Sequence, residues 1–462
     1  MTNGKEFVDQ AANRRMLRVG CALLALLIVA FAAPPPPVPG KKIASRKAPA
    51  KKRYRSSGAP TKAPRAPRVS AATRAEATQG VEEKVTSGAS IPVENPAALV
   101  PFFEQLYRHQ SGALPGPLHV LQYGDSHTAA DEWTGDLRGL FQQKFGDGGS
   151  GYTLAGRPYK GYRHVSVKTG STRGWRTEGV AGKPGDGLHG LGGISMSASK
   201  PHESTYLLAE GEVFELFYLR QPGGGSFALF DNGELVEQVS TEGEAAPAYY
   251  RYETDPGLHR LEVETTDRAP VRLFGWAADK AAGVTYEPLG INGASAPMIL
   301  DWNEDVLDSN IARRNPGLIV LAYGTNEAGR KAWTAETYQE VFTRILERIR
   351  KAAPAAAILV IGPPDRYVRT PKGWVPLDNV DMIVEAQRQS ALAYGCAFWD
   401  LRAKMGGKGA MRQWMLAGMA QYDHVHFTAP GYKLIGAAVF RDLMSQYEIF
   451  LRAREALVIA NP

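Results

Sequence analysis

Two kinds of hydrophobic pattern alternate along this 462-residue chain, and the change between them marks its organisation. Leu118 to Tyr123 reads as the first strand, and continuous apolar runs, expected of strands buried on both faces, occur at Leu318 to Ala322 and Ile358 to Ile361. Val284 to Glu287 and the short Ala397 to Leu401 read as two further strands. Between them the apolar positions take helical spacing, as in Leu99, Phe102, Phe103 and Leu106, then Trp133, Leu137, Leu140 and Phe141. Tyr338, Val341, Phe342, Ile345, Leu346 and Ile349 mark another helix face. Asn95-Pro96 suits a cap and first turn, and Asp131 and Glu132 suit the first turn of the next helix. Asp378 reads as the N-cap of a helix to Tyr394, and Pro430 starts the last one. Five strands alternating with helices predict an α/β fold with a parallel sheet covered on both faces.

From about residue 160 to 285 the pattern shortens to strict alternation. Phe227 to Val236 reads as a hairpin around Asn232-Gly233, and Leu261 to Glu264 and Val271 to Phe274 alternate. This stretch predicts an inserted β-sandwich module at 161–284, splitting the α/β domain into 90–160 and 285–462. Its Tyr206, Tyr218, Tyr249, Tyr250, Tyr252 and Trp276 could stack on sugar rings or simply fill the sandwich core.

Charge separates the N-terminal part from the rest. Of the formal +7, residues 1–33 hold +2 and residues 34–74 hold +12, which leaves −7 for 75–462. A nucleic-acid enzyme is expected to carry positive charge on its folded surface, so no nucleic-acid partner is expected. Arg14, Arg15 and Arg18 precede the apolar run Val19 to Ala33, which reads as a signal peptide or an uncleaved membrane anchor at 1–33. The Pro-, Lys- and Arg-rich sequence after it reads as a disordered linker over 34–89. It serves as a tether or as an electrostatic contact with an anionic envelope polymer or leaflet. A periplasmic or envelope location is therefore expected. The two cysteines, Cys21 and Cys396, cannot pair in a mature chain that has lost the signal.

Candidate chemistry falls at strand ends. Ser126 follows strand Leu118–Tyr123, and Asn326 follows strand Leu318–Ala322. In parallel sheets, ligands bind beyond the carboxyl ends of the strands, so both residues reach one edge. Ser126 alone could be a helix N-cap. Asp423 lies three residues before His426, so one loop could supply a base and its orienting carboxylate. His424 competes for the role of base, and with His426 it could face a metal. No further Cys, His or carboxylate cluster completes such a site, and neither a metal nor a cofactor is expected. Gly293 could present a bare backbone N–H and Asn326 a side-chain amide to an oxyanion. Together these residues predict acyl transfer through an activated serine.

Gly124-Asp125-Ser126, Gly293, Gly324-Thr325-Asn326 and Asp423-x-x-His426 resemble the four signature blocks of the SGNH (GDSL) hydrolase superfamily. The resemblance implies a flavodoxin-like three-layer α/β/α sandwich around the five-stranded parallel sheet. It implies Ser126 as nucleophile, Asp423 and His426 as the rest of a triad, and Ser126, Gly293 and Asn326 as the oxyanion hole. Glu327 departs from the aspartate that many members carry there. The wider strings Asp125-Ser126-His127-Thr128, Gly146-Asp147-Gly148-Gly149, Gly290 to Ala294 and Tyr323 to Glu327 resemble bacterial peptidoglycan O-acetylesterases. That family carries a carbohydrate-binding-like β-sandwich where the β-rich stretch lies here, and its substrate is an O-acetylated glycan. The expected function is thus a serine esterase acting on an envelope polysaccharide. Its rivals are an O-acetyltransferase with the same triad and a non-catalytic glycan-binding protein.

Overall fold

The computed structural model of the chain describes residues 69–86 and 92–460. The expected signal or anchor at 1–33, and the basic tract as far as residue 68, lie outside the described residues. Part of the stretch expected as linker over 34–89 is helical. Ala71–Thr86 is a helix, α1, whose Ala77, Val81 and Val85 are buried in the main core. Three small apolar residues spaced four apart carry it, too weak a stripe to read beside a run of basic residues.

A 3-10 turn (Pro96–Leu99) leads into α2 (Val100–Gln110). β1 (Leu118–Gly124) is followed by the one-turn α3 (Ser126–Ala129) and by α4 (Trp133–Phe145). An antiparallel region follows: β2 (Gly149–Leu154), β3 (Lys168–Ser171), β4 (Arg176–Glu178), β5 (Ser195–Ala198) and β6 (Ser204–Arg220). It continues through β7 (Ser226–Asp231), β8 (Glu234–Ser240), β9 (Ala246–Thr265) and β10 (Val271–Asp279). Alternation then resumes with β11 (Val284–Gly290), α5 (Glu304–Arg314), β12 (Leu318–Ala322), α6 (Thr325–Ala328), α7 (Ala335–Ala352) and β13 (Ala357–Ile361). The hairpin β14 (Tyr367–Thr370) and β15 (Gly373–Pro376) precedes α8 (Asn379–Ala393) and β16 (Ala397–Trp399). The chain closes with α9 (Leu401–Met405), α10 (Ala410–Leu416) and α11 (Ala429–Ala460).

Five parallel strands form one sheet in the order β11-β1-β12-β13-β16. Counted among themselves that is 2-1-3-4-5, the flavodoxin-like order. Period-2 alternation divides each strand between two cores. In β12, Leu318, Val320 and Ala322 join one cluster with α2, α4 and α11, while Ile319 and Leu321 join another with α5 and α7. These are the expected three layers.

The inserted module is one nine-stranded antiparallel sheet rather than two separate ones. It folds over itself through its long strands. Thr205 of β6 pairs with Val263, which pairs with Leu229 of β7. Tyr218 lies thirteen residues along β6, roughly 40 Å away if the strand ran straight. Its ring is instead 5.5 Å from that of Phe227 in β7. A bulge at Gly211/Val213 makes the bend. The hairpin turn forms as expected, with Asn232 and Gly233 at φ 52° and 91°. The module begins earlier than residue 161, because β2 pairs with β10. Gly149, Ser150 and Gly151 carry too little side chain to show a strand pattern.

Three expected helix starts differ. Asn95 makes no side-chain cap and donates its amide to the Cys396 carbonyl (3.1 Å). Asp378 makes no cap either and pairs with Lys408 (2.7 Å). Asp131, at φ 48°, lies outside the helix with its carboxylate fully buried against Arg138 (2.9 Å).

The outer face of β2, β6, β9 and β10 packs on the α/β core through Tyr152, Phe217, Tyr249 and Phe274. A buried ion cluster reinforces this join. Arg314 of α5 donates to Glu287 of β11 (2.6 Å) and to Asp279 of β10 (2.7 Å). Burial alone would push the Glu287 carboxyl up, but Arg314 and His119 reverse this and hold it well below the usual range. Removing one member of such a cluster leaves a buried charge unpaired. Arg314→Met should therefore cost about 3–5 kcal/mol in urea unfolding, while Lys351→Met, which breaks an exposed pair with Glu304, should leave the midpoint unchanged.

Candidate active site

Strand register sets the site. Gly124 at the end of β1 lies opposite Gly290 of β11 and Ala322 of β12. The three strands end level, so the loops bearing Ser126, Gly293 and Asn326 leave from one edge. Close packing behind the serine depends on Gly290, where a Cβ would lie 2.1 Å from the Ala129 nitrogen.

Ser126 is not an N-cap. Asp125 fills that position, accepting the His127 N–H (2.9 Å), and Ser126 is the first helical residue. The helix is a single turn, so its dipole is small and any anion here must be held by individual N–H groups. Gly293 sits in a tight turn closed by the Ala294 N–H on the Ile291 carbonyl (3.0 Å). Its φ of 76° is what requires glycine, since a Cβ would touch only Ala181, at 3.5 Å. Asn326 donates one amide hydrogen to the Ala294 carbonyl (2.7 Å), which ties its side chain to the Gly293 turn. The second hydrogen of that amide can serve a ligand.

The loop between α10 and α11 brings Asp423 and His426. The Asp423 carboxylate accepts the N–H groups of Val425 (2.9 Å) and His426 (3.0 Å) and lies 2.7 Å from His426 Nδ1. An ionised carboxylate only accepts, so Nδ1 carries the proton and Nε2 presents a lone pair. Ser126 Oγ lies 2.9 Å from that Nε2 and donates to it. Burial pushes Asp423 up, but its bonds to His426 and the two backbone N–H groups hold it at about 2. The same hydrogen bond raises His426, with Asp125 adding to this and burial and Arg366 opposing it. The arrangement can deprotonate the serine and return the proton.

His424 takes a different place. It is buried between the rings of Tyr367 (5.4 Å) and Trp374 (4.5 Å), and burial lowers its pKa. It is His426 that meets Ser126. Several neighbours were given no role at the site from sequence. His127 is buried beside His426, ring to ring at 5.3 Å, and bonds Tyr432 through Nδ1 (2.9 Å). Burial holds it at about 4, so it adds no positive charge beside the imidazole. Arg366 donates to the Thr325 carbonyl and steadies the turn that carries Asn326. Glu327 is fully buried and accepts the Ala296 N–H (2.7 Å), and burial pushes it up to about 7. Its local role is thus to anchor the far end of the Gly293 turn. A loop of the inserted region walls the cleft. Gly161 lines it, Tyr159 donates to the Gly290 carbonyl (3.1 Å), and the Val165 N–H donates to Asp131 (2.6 Å). These partners are remote in sequence and carry no local spacing signal. The cleft measures about 290 Å³ and includes Ser126, Asn292, Gln421 and His426.

Residues 254–434 match the model of the GDSL-like lipase/acylhydrolase family. The match contains Gly293, Asn326, Asp423 and His426, while Ser126 precedes it, on the other side of the inserted module. A solved structure of a peptidoglycan O-acetylesterase aligns with 75% of this chain and 96% of its own, at 26% identity and a TM-score of 0.65. A family two carbohydrate esterase from Clostridium thermocellum, solved with cellohexaose, covers 55% of this chain and 94% of its own at 11% identity, with a TM-score of 0.29. No curated protein sequence matches.

The Asp423–His426 bond has a direct readout. By NMR titration, the His426 imidazole should titrate above 6.5, its ordinary value. Asp423→Asn removes the carboxylate that favours the protonated ring, so the titration should move to lower pH.

Proposed function

We propose that this SGNH hydrolase is a serine esterase that removes O-acetyl groups from a cell-envelope polysaccharide, with O-acetylated peptidoglycan as its substrate. The observation that carries the reading is the hydrogen-bonded series Asp423–His426–Ser126 at the edge where three adjacent strands end. The likeness to a peptidoglycan O-acetylesterase over three quarters of the chain supports the substrate. The apolar run after Arg18 supports a periplasmic or envelope location, reached by a signal or held by an anchor.

In this mechanism His426 Nε2 takes the Ser126 hydroxyl proton as Oγ bonds to the acetyl carbonyl carbon. The carbonyl oxygen becomes an anion held by the N–H groups of Ser126 and Gly293 and by the Asn326 amide. Collapse breaks the bond to the sugar oxygen, which receives the proton from His426. Water, deprotonated by His426, then releases acetate from Ser126. No cofactor enters the cycle. His127, held neutral, keeps the imidazolium from facing a second positive ring.

Ser126→Ala should abolish acetate release from O-acetylated cell-wall glycan while leaving the unfolding transition in place. Undiminished turnover refutes the assignment, and faster release from O-acetylated xylan moves the substrate but keeps the esterase. His426→Ala should lose more than Asp423→Asn, since proton transfer contributes about 10²–10⁴-fold and orientation only a part of it. The acid limb of kcat/KM marks protonation of His426. It should lie above pH 6.5 and fall to lower pH in Asp423→Asn.

A further inference from the structure

We infer that the β14–β15 hairpin is a sugar-binding platform, on which the Trp374 indole stacks against a pyranose ring of the polymer whose ester lies at Ser126. The inference rests on the esterase reading above. Across the hairpin Arg369 pairs with Trp374, Tyr367 with Pro376 and Val368 with Val375. Paired residues share a face and successive residues alternate. Tyr367, Arg369 and Trp374 therefore lie on one face, and Val368 and Val375 on the other. The first face rests on the loop that carries Asp423 and His426. The Tyr367 N–H donates to the His424 carbonyl (3.1 Å), and Trp374 stacks on the His424 ring at 4.5 Å and 29°.

This arrangement fixes one face of the indole and leaves the other open. Trp374 is 41% exposed, whereas the other seven tryptophans, all among the described residues, are buried or half-buried. A stiffly held, exposed apolar ring gains free energy when something covers it. Its position says what that is. His424 is two residues from His426, so the residue under the indole lies within about 7 Å of the base along the backbone, and the indole stacks 4.5 Å beyond its ring. The cleft at Ser126, about 290 Å³, holds on the order of ten waters. That is room for an acetyl group and part of the sugar that bears it, so neighbouring sugars must run over the surface. Tyr422 is exposed on the same loop. A pyranose offers an apolar C–H face and a rim of hydroxyls, which match an indole flanked by the N–H donors of Arg369.

The β module is a poorer platform. Tyr218 and Trp276 are buried, Tyr206 lies under the Arg260 guanidinium (4.5 Å), and Tyr249, Tyr250 and Tyr252 are half-buried. A lipid surface is the other chemistry that an exposed Trp near Arg and Lys can meet. The indole does not project as an inserting wedge would: it stacks on His424, and the two exposed valines face the opposite way.

Binding and turnover test this separately. In a Ser126→Ala background, which binds without turnover, cosedimentation with insoluble O-acetylated peptidoglycan should weaken roughly tenfold on adding Trp374→Ala and much less with Trp374→Phe. In the active enzyme, Trp374→Ala should lower the ratio of kcat/KM on this polymer to kcat/KM on 4-nitrophenyl acetate by a similar factor, through KM. Val375→Ser, on the opposite face, should leave that ratio unchanged. Unchanged cosedimentation overturns the platform. So does an equal loss on both substrates, which would make Trp374 a support for the catalytic loop, or a loss confined to binding of anionic lipid vesicles. Failure of the wild-type chain to release acetate refutes the esterase instead, and the cosedimentation result still decides the platform.

Discussion

The pairing of β1 between β11 and β12 is the constraint on which the site depends. Gly124 lies level with Gly290 and Ala322. A slip of one residue in either ladder would turn that strand's side chains to the opposite layer. It would also shift the Gly293 or Asn326 turn by about 3 Å relative to Ser126. Each strand is apolar on both faces, so slippage would exchange two well-packed cores at once. Core packing and site geometry are therefore held by the same pairing.

The inserted module shares in that constraint. It leaves the α/β domain after α4 and returns as β11, the strand that leads to Gly293. Arg314, Asp279 and Glu287 tie α5, β10 and β11 together in a buried cluster. A segment between β2 and β3 supplies Tyr159 and Gly161 at the cleft. The module thus helps to build the wall of the cleft at Ser126.

Around Ser126 the charges favour a protonated His426 ring beside a neutral His127. Asp423 stays ionised because three N–H groups face it. His426 gains basicity from that carboxylate, while His127 beside it stays neutral through burial. Glu327 is used structurally, fastening the turn between Gly293 and Ala296.

What the sequence determined by itself is the part carried by short-range periodicity and by residues next to strand ends. The five strands, their covering helices, the Asn232-Gly233 hairpin, and the placing of Ser126 and Asn326 at one edge all follow from local pattern, because burial on both faces leaves mostly apolar runs. Tertiary structure decided the rest. It brought the His426 ring to Ser126 and took up the His424 ring between Tyr367 and Trp374. It assigned the cap to Asp125 rather than Ser126, folded one long antiparallel sheet over itself where two sheets were expected, and drew α1 into the core on three small residues. It also brought Asp131 and Arg366 to the loops around Ser126 and Asn326, and Trp374 onto the His424 ring. Each of these depends on contacts between segments distant in the chain, and side-chain spacing along one segment carries no information about which distant surface will cover it.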